Sequence, residues 1–293
     1  MKQSKTTKKG LLKFAKIGIS LGLLIYVFFL VPFSEIWNVI KKSNIFYISL
    51  SGLLLLISQI ISSDRLLLFF KAKEFHLSRK SNFKLYFIGM FYNFFIPGGI
   101  GGDAYKVYLL NKEFQWDIKS LTAAVFFDRI NGLLAICFWA VLLLGPIDFL
   151  QPYRINFIIP IIIITGYLIA RFTTNKLALS FKPIFNKALY YSMCIQGAQL
   201  LSVYAILLAL SQQEFIFEYL ILFLVSAVLS VISFSGIGVR EFLFLKAALI
   251  FNFNPDVSIA IGLIFTFLTI IISSAGLFFE FSKNKLELNS QSV

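Results

Sequence analysis

Tyr92-Asn93-Phe94-Phe95-Ile96-Pro97-Gly98-Gly99-Ile100-Gly101-Gly102-Asp103-Ala104-Tyr105-Lys106 breaks an apolar stretch that runs from Phe83 to Leu110. A proline costs a helix about 3 kcal/mol and each glycine about 1, so the helix cannot run through this centre. In lipid, non-helical backbone survives only where protein covers it or where it lines a cavity. The stretch is therefore predicted to turn back as a re-entrant hairpin. A second stretch, Tyr219 to Leu249, breaks in the same way at Ser233-Phe234-Ser235-Gly236-Ile237-Gly238-Val239-Arg240-Glu241. Two ordinary kinked spans are the plainer alternative.

The sequence around these breaks is built for a bilayer. Of 293 residues, 58% are hydrophobic and 14% charged, and the mean hydropathy is +0.84. Crossing ~30 Å of hydrocarbon takes about 20 mostly apolar residues. Leu11 to Val31, Ile45 to Phe70, Ile118 to Leu144, Ile155 to Arg171, Leu189 to Leu210 and Val257 to Phe279 each supply about that length. No period-two alternation supports an outer-membrane barrel. The predicted fold is an all-α polytopic membrane protein with about six full transmembrane helices plus two re-entrant Gly-rich hairpins, or eight spans counted by hydropathy.

The basic N-terminus resembles the start of a signal peptide. No small-residue cleavage site follows it, so the first apolar run is kept as a helix. Cys137 and Cys194 lie in apolar segments without ligand spacing, and His76 is the sole histidine. These residues argue against a disulfide framework, a metal site or a His-based triad. Gly99 to Ala104 fits a loose nucleotide-loop pattern, but it does not follow a strand and lacks a Gly-Lys-Ser/Thr ending. No cofactor, metal ion or catalytic residue is assigned.

The net charge of +13 is spread through short loops, which argues for topology signals and against nucleic-acid binding. Lys2 to Lys9, Lys71 to Lys84, Arg171 to Lys187 and Lys283 to Lys285 fall on one side if both termini are cytoplasmic. Span, span, hairpin, span then fills residues 11–145, and the same order, inverted, fills 155–280. Residues 1–10 form a basic cytoplasmic N-terminus and 281–293 a cytoplasmic tail. Inverted repeats of discontinuous helices build midplane sites from their free helix ends. Setting Gly99-Ile100-Gly101 on Gly236-Ile237-Gly238 places Asp103 at the position of Arg240.

Charges deep in a span cost ~2.5–3.5 kcal/mol on translocon scales, so they should be paired, cavity-facing or functional. Asp128 and Arg129 lie about ten residues into the span that begins near Ile118. Asp103, Lys106, Arg240 and Glu241 flank the two breaks. One expectation is a polar cavity where the hairpins meet, with Arg240 holding a phosphate bidentately and Lys106 adding a point charge. The other is an ion-pair cluster of Asp128, Arg129, Arg240 and Glu241 that fastens the two halves. For Asp64 and Arg65 a boundary role and a functional one stand level.

Asn93-x-x-x-Pro97-Gly98-Gly99-x-Gly101-Gly102-Asp103, Asp128-Arg129-x-x-Gly132 and Gly236-x-Gly238-x-Arg240-Glu241 resemble, in that order, the membrane region of the lysylphosphatidylglycerol synthase or flippase-like family. Asp128 is a conservative departure from the family's usual Glu-Arg pair. The resemblance implies a multi-pass protein of a prokaryotic plasma (inner) membrane that moves a charged lipid between leaflets. Residues 281–293 are too few for the soluble synthase domain, so a complete synthase is not expected. Aminoacylated phospholipid, glycolipid and polyprenyl-linked lipid stay open as cargo. The lipid-headgroup residues expected from hairpins and motifs together are Asn93, Pro97, Gly98, Gly99, Gly101, Gly102, Asp103, Lys106, Asp128, Arg129, Gly236, Gly238, Arg240 and Glu241. The protein is expected not to be an enzyme, with membrane lipids as partners and an envelope-lipid biosynthesis enzyme as the candidate protein partner. The alternatives are a membrane-embedded transferase using Asp103 or Glu241 as base, or a scaffold subunit of an envelope-synthesis complex.

Overall fold

The computed structural model describes residues 33–95, 101–153, 155–229, 239–282 and 286–288. The predicted span Leu11 to Val31 and the centres of both Gly-rich breaks lie outside them. The described helices are α1 (Phe33–Lys42), α2 (Ile45–Lys71), α3 (Arg79–Phe95), α4 (Gly101–Phe114), α5 (Ile118–Leu144), α6 (Ile155–Leu177), α7 (Phe185–Ala209), α8 (Ile216–Leu229), α9 (Val239–Phe251) and α10 (Pro255–Phe281). Among the described residues five helical segments are long and apolar enough to cross a membrane: α2, α5, α6, α10, and α7 with the short 3-10 turn that leads into it. The chain is a polytopic all-α membrane protein.

Local chemistry sets the ends of these helices. Asn44 accepts from Phe46 N at 3.0 Å and Asp117 from Ser120 N at 2.8 Å, capping α2 and α5. Asn254 caps α10, and Pro255 follows at the first helical position, where its missing N–H costs nothing. Pro183 sits in the 3-10 segment Leu179–Ile184, and the regular α-helical ladder of α7 starts at Phe185.

At the centre of the bundle α2 and α7 run antiparallel, joined by a seam of small polar side chains. Ser51 meets Ser202 at 2.8 Å, Gln199 Nε2 donates to Ser58 Oγ at 3.5 Å, and Arg65 Nη1 donates to Ser192 Oγ at 2.7 Å. Small hydroxyl residues let helices approach closely in lipid, where the hydrophobic effect no longer drives them together. α10 is largely buried, whereas α6 buries only Ile159 and presents an otherwise apolar surface to its surroundings.

Each Gly-rich break separates two antiparallel helices. Gly89 on α3 faces Lys106 on α4, and Asn93 bonds Gly102 N at 2.9 Å. On the other side Tyr219 of α8 stacks with Phe244 of α9 at 6.3 Å, and Arg240 reaches Ser226. α4 and α9 have 14 and 13 residues. At 1.5 Å per residue each is ~20 Å long, short of the ~30 Å hydrocarbon core.

The register that sets Gly99 on Gly236 also aligns the helix ends. It lays Arg79 on Ile216, Phe114 on Phe251, and the whole of α5 on the whole of α10. Left-handed backbone at Glu74 and Gln115 recurs at the matching Ser211 and Asn252. α2 and α7, which match each other in this register, are the antiparallel pair at the centre.

Candidate functional site

Among the described residues the buried charges and their partners form three clusters. In the first hairpin, Asp103 accepts from Lys106 Nζ at 2.9 Å and from Arg129 Nε at 2.8 Å, and Asn93 Nδ2 donates to it at 3.3 Å. Asn93 Oδ1 in turn receives Gly102 N–H, so one side chain ties the end of α3 to the first turn of α4. Only glycine fits at that contact, because a Cβ on Gly102 would lie 1.8 Å from Gly89 O. A Cβ on Gly89 would lie 2.1 Å from Lys106 Cε, so Gly89 is the slot through which Lys106 reaches Asp103. The Lys106 ammonium also sits 5.0 Å from the centre of the Tyr86 ring.

The second cluster lies in the helix core. Asp128 takes Arg65 bidentately at 2.8 and 3.1 Å, and Arg65 also donates to Ser192, which donates to Asn131. A Cβ on Gly132 would stand 3.1 Å from Arg65 Nη1, so the glycine one turn beyond Asp128 makes room for the guanidinium. Asp128-Arg129-x-x-Gly132 thus works in two directions: Asp128 and Gly132 hold Arg65 inside the bundle, and Arg129 reaches out to the first hairpin.

The third cluster belongs to the second hairpin. Arg240 is 7% exposed, and its guanidinium donates to Ser226 Oγ and Thr266 Oγ1, both at 3.4 Å. It lies 4.6 Å from the Phe265 ring centre and 5.8 Å from that of Phe223. Thr266 donates to Glu241 Oε1 at 2.9 Å. Among the described residues no carboxylate makes an ion pair with Arg240.

These contacts correct one expectation. Asp128, Arg129, Arg240 and Glu241 do not form one ion-pair cluster, because Asp128 is held by Arg65, Arg129 by Asp103, and Glu241 by the Thr266 hydroxyl. Asp103 and Arg240 are counterparts in the two halves and bond to different partners. Lys106 is spent on Asp103, with its side chain 6% exposed. Gly101 begins α4. Pro97, Gly98, Gly99, Gly236 and Gly238 lie outside the described residues.

Residues not singled out from sequence complete the picture: Gly89, Tyr86, Ser192, Asn131, Ser226 and Thr266. Part of this set was signalled by the alignment of the two breaks. In that register Arg129 falls on Thr266, so Asp103 and Arg240 each meet one partner at an equivalent place, and Gly89 and Tyr86, which flank Lys106, fall on Ser226 and Phe223, which flank Arg240. Arg65 with Ser192 carries no such signal.

The chain matches the family described as "Lysylphosphatidylglycerol synthase TM region" over residues 13–276. No curated protein and no solved structure matches it. With a match that takes in all three charge clusters, the chain belongs to the family of the lysylphosphatidylglycerol synthase transmembrane region, membrane proteins of lipid modification or transport.

Proposed function

We propose that the protein binds a charged, phosphate-bearing lipid and moves it, chemically unchanged, between the leaflets of a prokaryotic plasma membrane. Both termini are cytoplasmic in this reading, as the basic loops require. The observation that carries it is Arg240. A guanidinium deep in a membrane protein demands an anion, and the described residues offer it two hydroxyls at long range and two rings. Arg240 also lies in the first turn of α9, where the helix dipole is positive and a cation is disfavoured. A guanidinium in the first turn of a helix suits a phosphate, which can take the arginine fork bidentately.

Further support comes from the repeat. Matching helices, matching left-handed residues and an antiparallel central pair favour two inverted halves, an arrangement suited to alternating access around broken helices. The test is movement of a fluorescent phosphatidylglycerol to the outer leaflet of reconstituted vesicles, read by its loss to an impermeant reductant. Arg240→Ala should abolish movement while leaving yield and monodispersity intact. A normally accumulating Arg240→Ala protein with undiminished transport would refute this reading.

A further inference from the structure

The two halves correspond helix for helix, yet one of their matching crossings is closed and the other open. In the first hairpin, Ile88, Phe91 and Tyr92 on α3 are 1–6% exposed, packed with Leu263 and Ile270 of α10. Their counterparts on α8, Val225, Val228 and Leu229, are 37–43% exposed. The facing helix shows the same contrast. Leu263, Thr266 and Ile270 on α10 are 2–6% exposed, whereas their counterparts Phe126, Arg129 and Leu133 on α5 are 41–58% exposed, taking the side chain for Arg129.

A size difference at the crossing accounts for this. Gly276 lets α10 lie against the α3 backbone, since a Cβ there would be 2.1 Å from Phe87 O. Its counterpart is Trp139, whose indole packs over Gly197 and donates to Met193 O at 3.0 Å. Trp139, Ile136 and Ala140 still pack with the core cluster that contains Phe223 and Leu224. α5 therefore packs with this core at Ile136, Trp139 and Ala140, while Phe126, Arg129 and Leu133 nearer its start stay exposed opposite the exposed face of α8.

The walls of the resulting groove are apolar except for Arg129. Its side chain is 45% exposed, while that of the Asp103 it bonds is 12% exposed. A half-exposed cation about ten residues into a span, among Phe126, Leu133 and Val228, calls for a partner with a negative head and a hydrocarbon tail. We propose that this groove is a lateral doorway for an anionic phospholipid, with Arg129 binding the phosphate and the α5 and α8 walls holding an acyl chain. The inference rests on the lipid-translocation reading and adds the place where the lipid leaves the bilayer. Asp103 keeps one Arg129 nitrogen and leaves the fork's outer N–H groups for the phosphate.

The test is photocrosslinking in nanodiscs with diazirine-tailed phosphatidylglycerol or phosphatidylcholine, with adducts mapped by peptide mass spectrometry. Adducts with phosphatidylglycerol should fall on the peptides containing Leu133 and Val228. Losing a charge-assisted bond should weaken them roughly tenfold in Arg129→Gln, with most of the labelling kept in Arg129→Lys. If Arg129→Gln does not accumulate, Val228→Trp, which fills the opposite wall, should remove the same adducts. Equal labelling by the zwitterionic lipid, or labelling untouched by Arg129→Gln or Val228→Trp, overturns the doorway. If groove adducts vanish while vesicle transport persists, the doorway fails and the translocation reading survives. If the adducts show the expected dependence on Arg129 and Val228 while Arg240→Ala transports normally, the translocation reading fails and the lipid site survives.

Discussion

Asp103 and Arg240 occupy the same position in the first turn of α4 and α9, with opposite charge, and the two hairpins are stabilised on opposite principles. Asp103 complements the positive end of its helix and is held by Lys106, Arg129 and Asn93. Arg240 opposes the dipole of its helix and rests on hydroxyls and rings. The first hairpin is closed on itself and against α10; in the second, among the described residues, Arg240 meets hydroxyls and rings and part of α8 is exposed. One backbone plan thus yields an ion-paired element and one without an ion pair among the described residues, and the difference lies in a few side chains.

The largest expected effect separates the hairpins directly. Asp103→Ala leaves two cations without their acid and should cost ~3–5 kcal/mol, seen as failure to accumulate or a collapse of the detergent melting temperature. Arg240→Gln removes a cation that no described carboxylate pairs and should change that melting temperature little. Equal losses would end the comparison. In the helix core, where both halves contribute, Asp128→Leu should also be lost at ~3–5 kcal/mol, and the double change with Arg65→Met should recover expression.

A middle-sized effect concerns the crossings. Gly276→Ala must push α10 off the Phe87 carbonyl and should cost ~1–3 kcal/mol by thermal unfolding. Leu133→Ala on the open α5 face should fall well below that, since its side chain meets little protein. A Leu133→Ala loss as large as that of Gly276→Ala would mean that the α5 and α8 walls are already packed together.

The smallest effect lies at the matching caps, Asp117 and Asn254. The Ser120 N–H holds the Asp117 carboxyl below its ordinary value. A depressed folded-state pKa contributes stability above the unfolded value of about 3.9, and that stability is lost as pH falls through the lowered folded value. Acidification should therefore lower the protection of the Ser120 amide, measured against its intrinsic exchange rate at each pH, but not that of Val257, which bonds the non-titrating Asn254. Asp117→Asn should abolish the pH dependence.

Much of this was legible in the chain. Apolar runs of membrane length marked each long helix to within a few residues, because the bilayer admits little else. α6 runs six residues past its predicted end at Arg171, where polar Thr173, Thr174 and Asn175 hid a helix that continues to Leu177. The Gly-rich breaks marked the hairpins, and aligning them paired the position of Asp103 with that of Arg240; that Arg129 and Thr266 also match came from the structure. Arg65 could not be placed from sequence, since a cation near a span boundary reads equally as an anchor to the interface.

By itself the sequence determined the elements, their breaks and the register between the halves, because these depend on local propensity and on the solvent each residue meets. Only the tertiary structure decided which charge meets which. Adjacent Asp128 and Arg129 point about 100° apart around a helix, so neighbours in the chain reach different partners in space. The open groove was likewise invisible in sequence. At matching positions Gly276 lies against the Phe87 backbone while Trp139 packs on Gly197 and Met193 of α7, and only packing across helices far apart in the chain can express that difference.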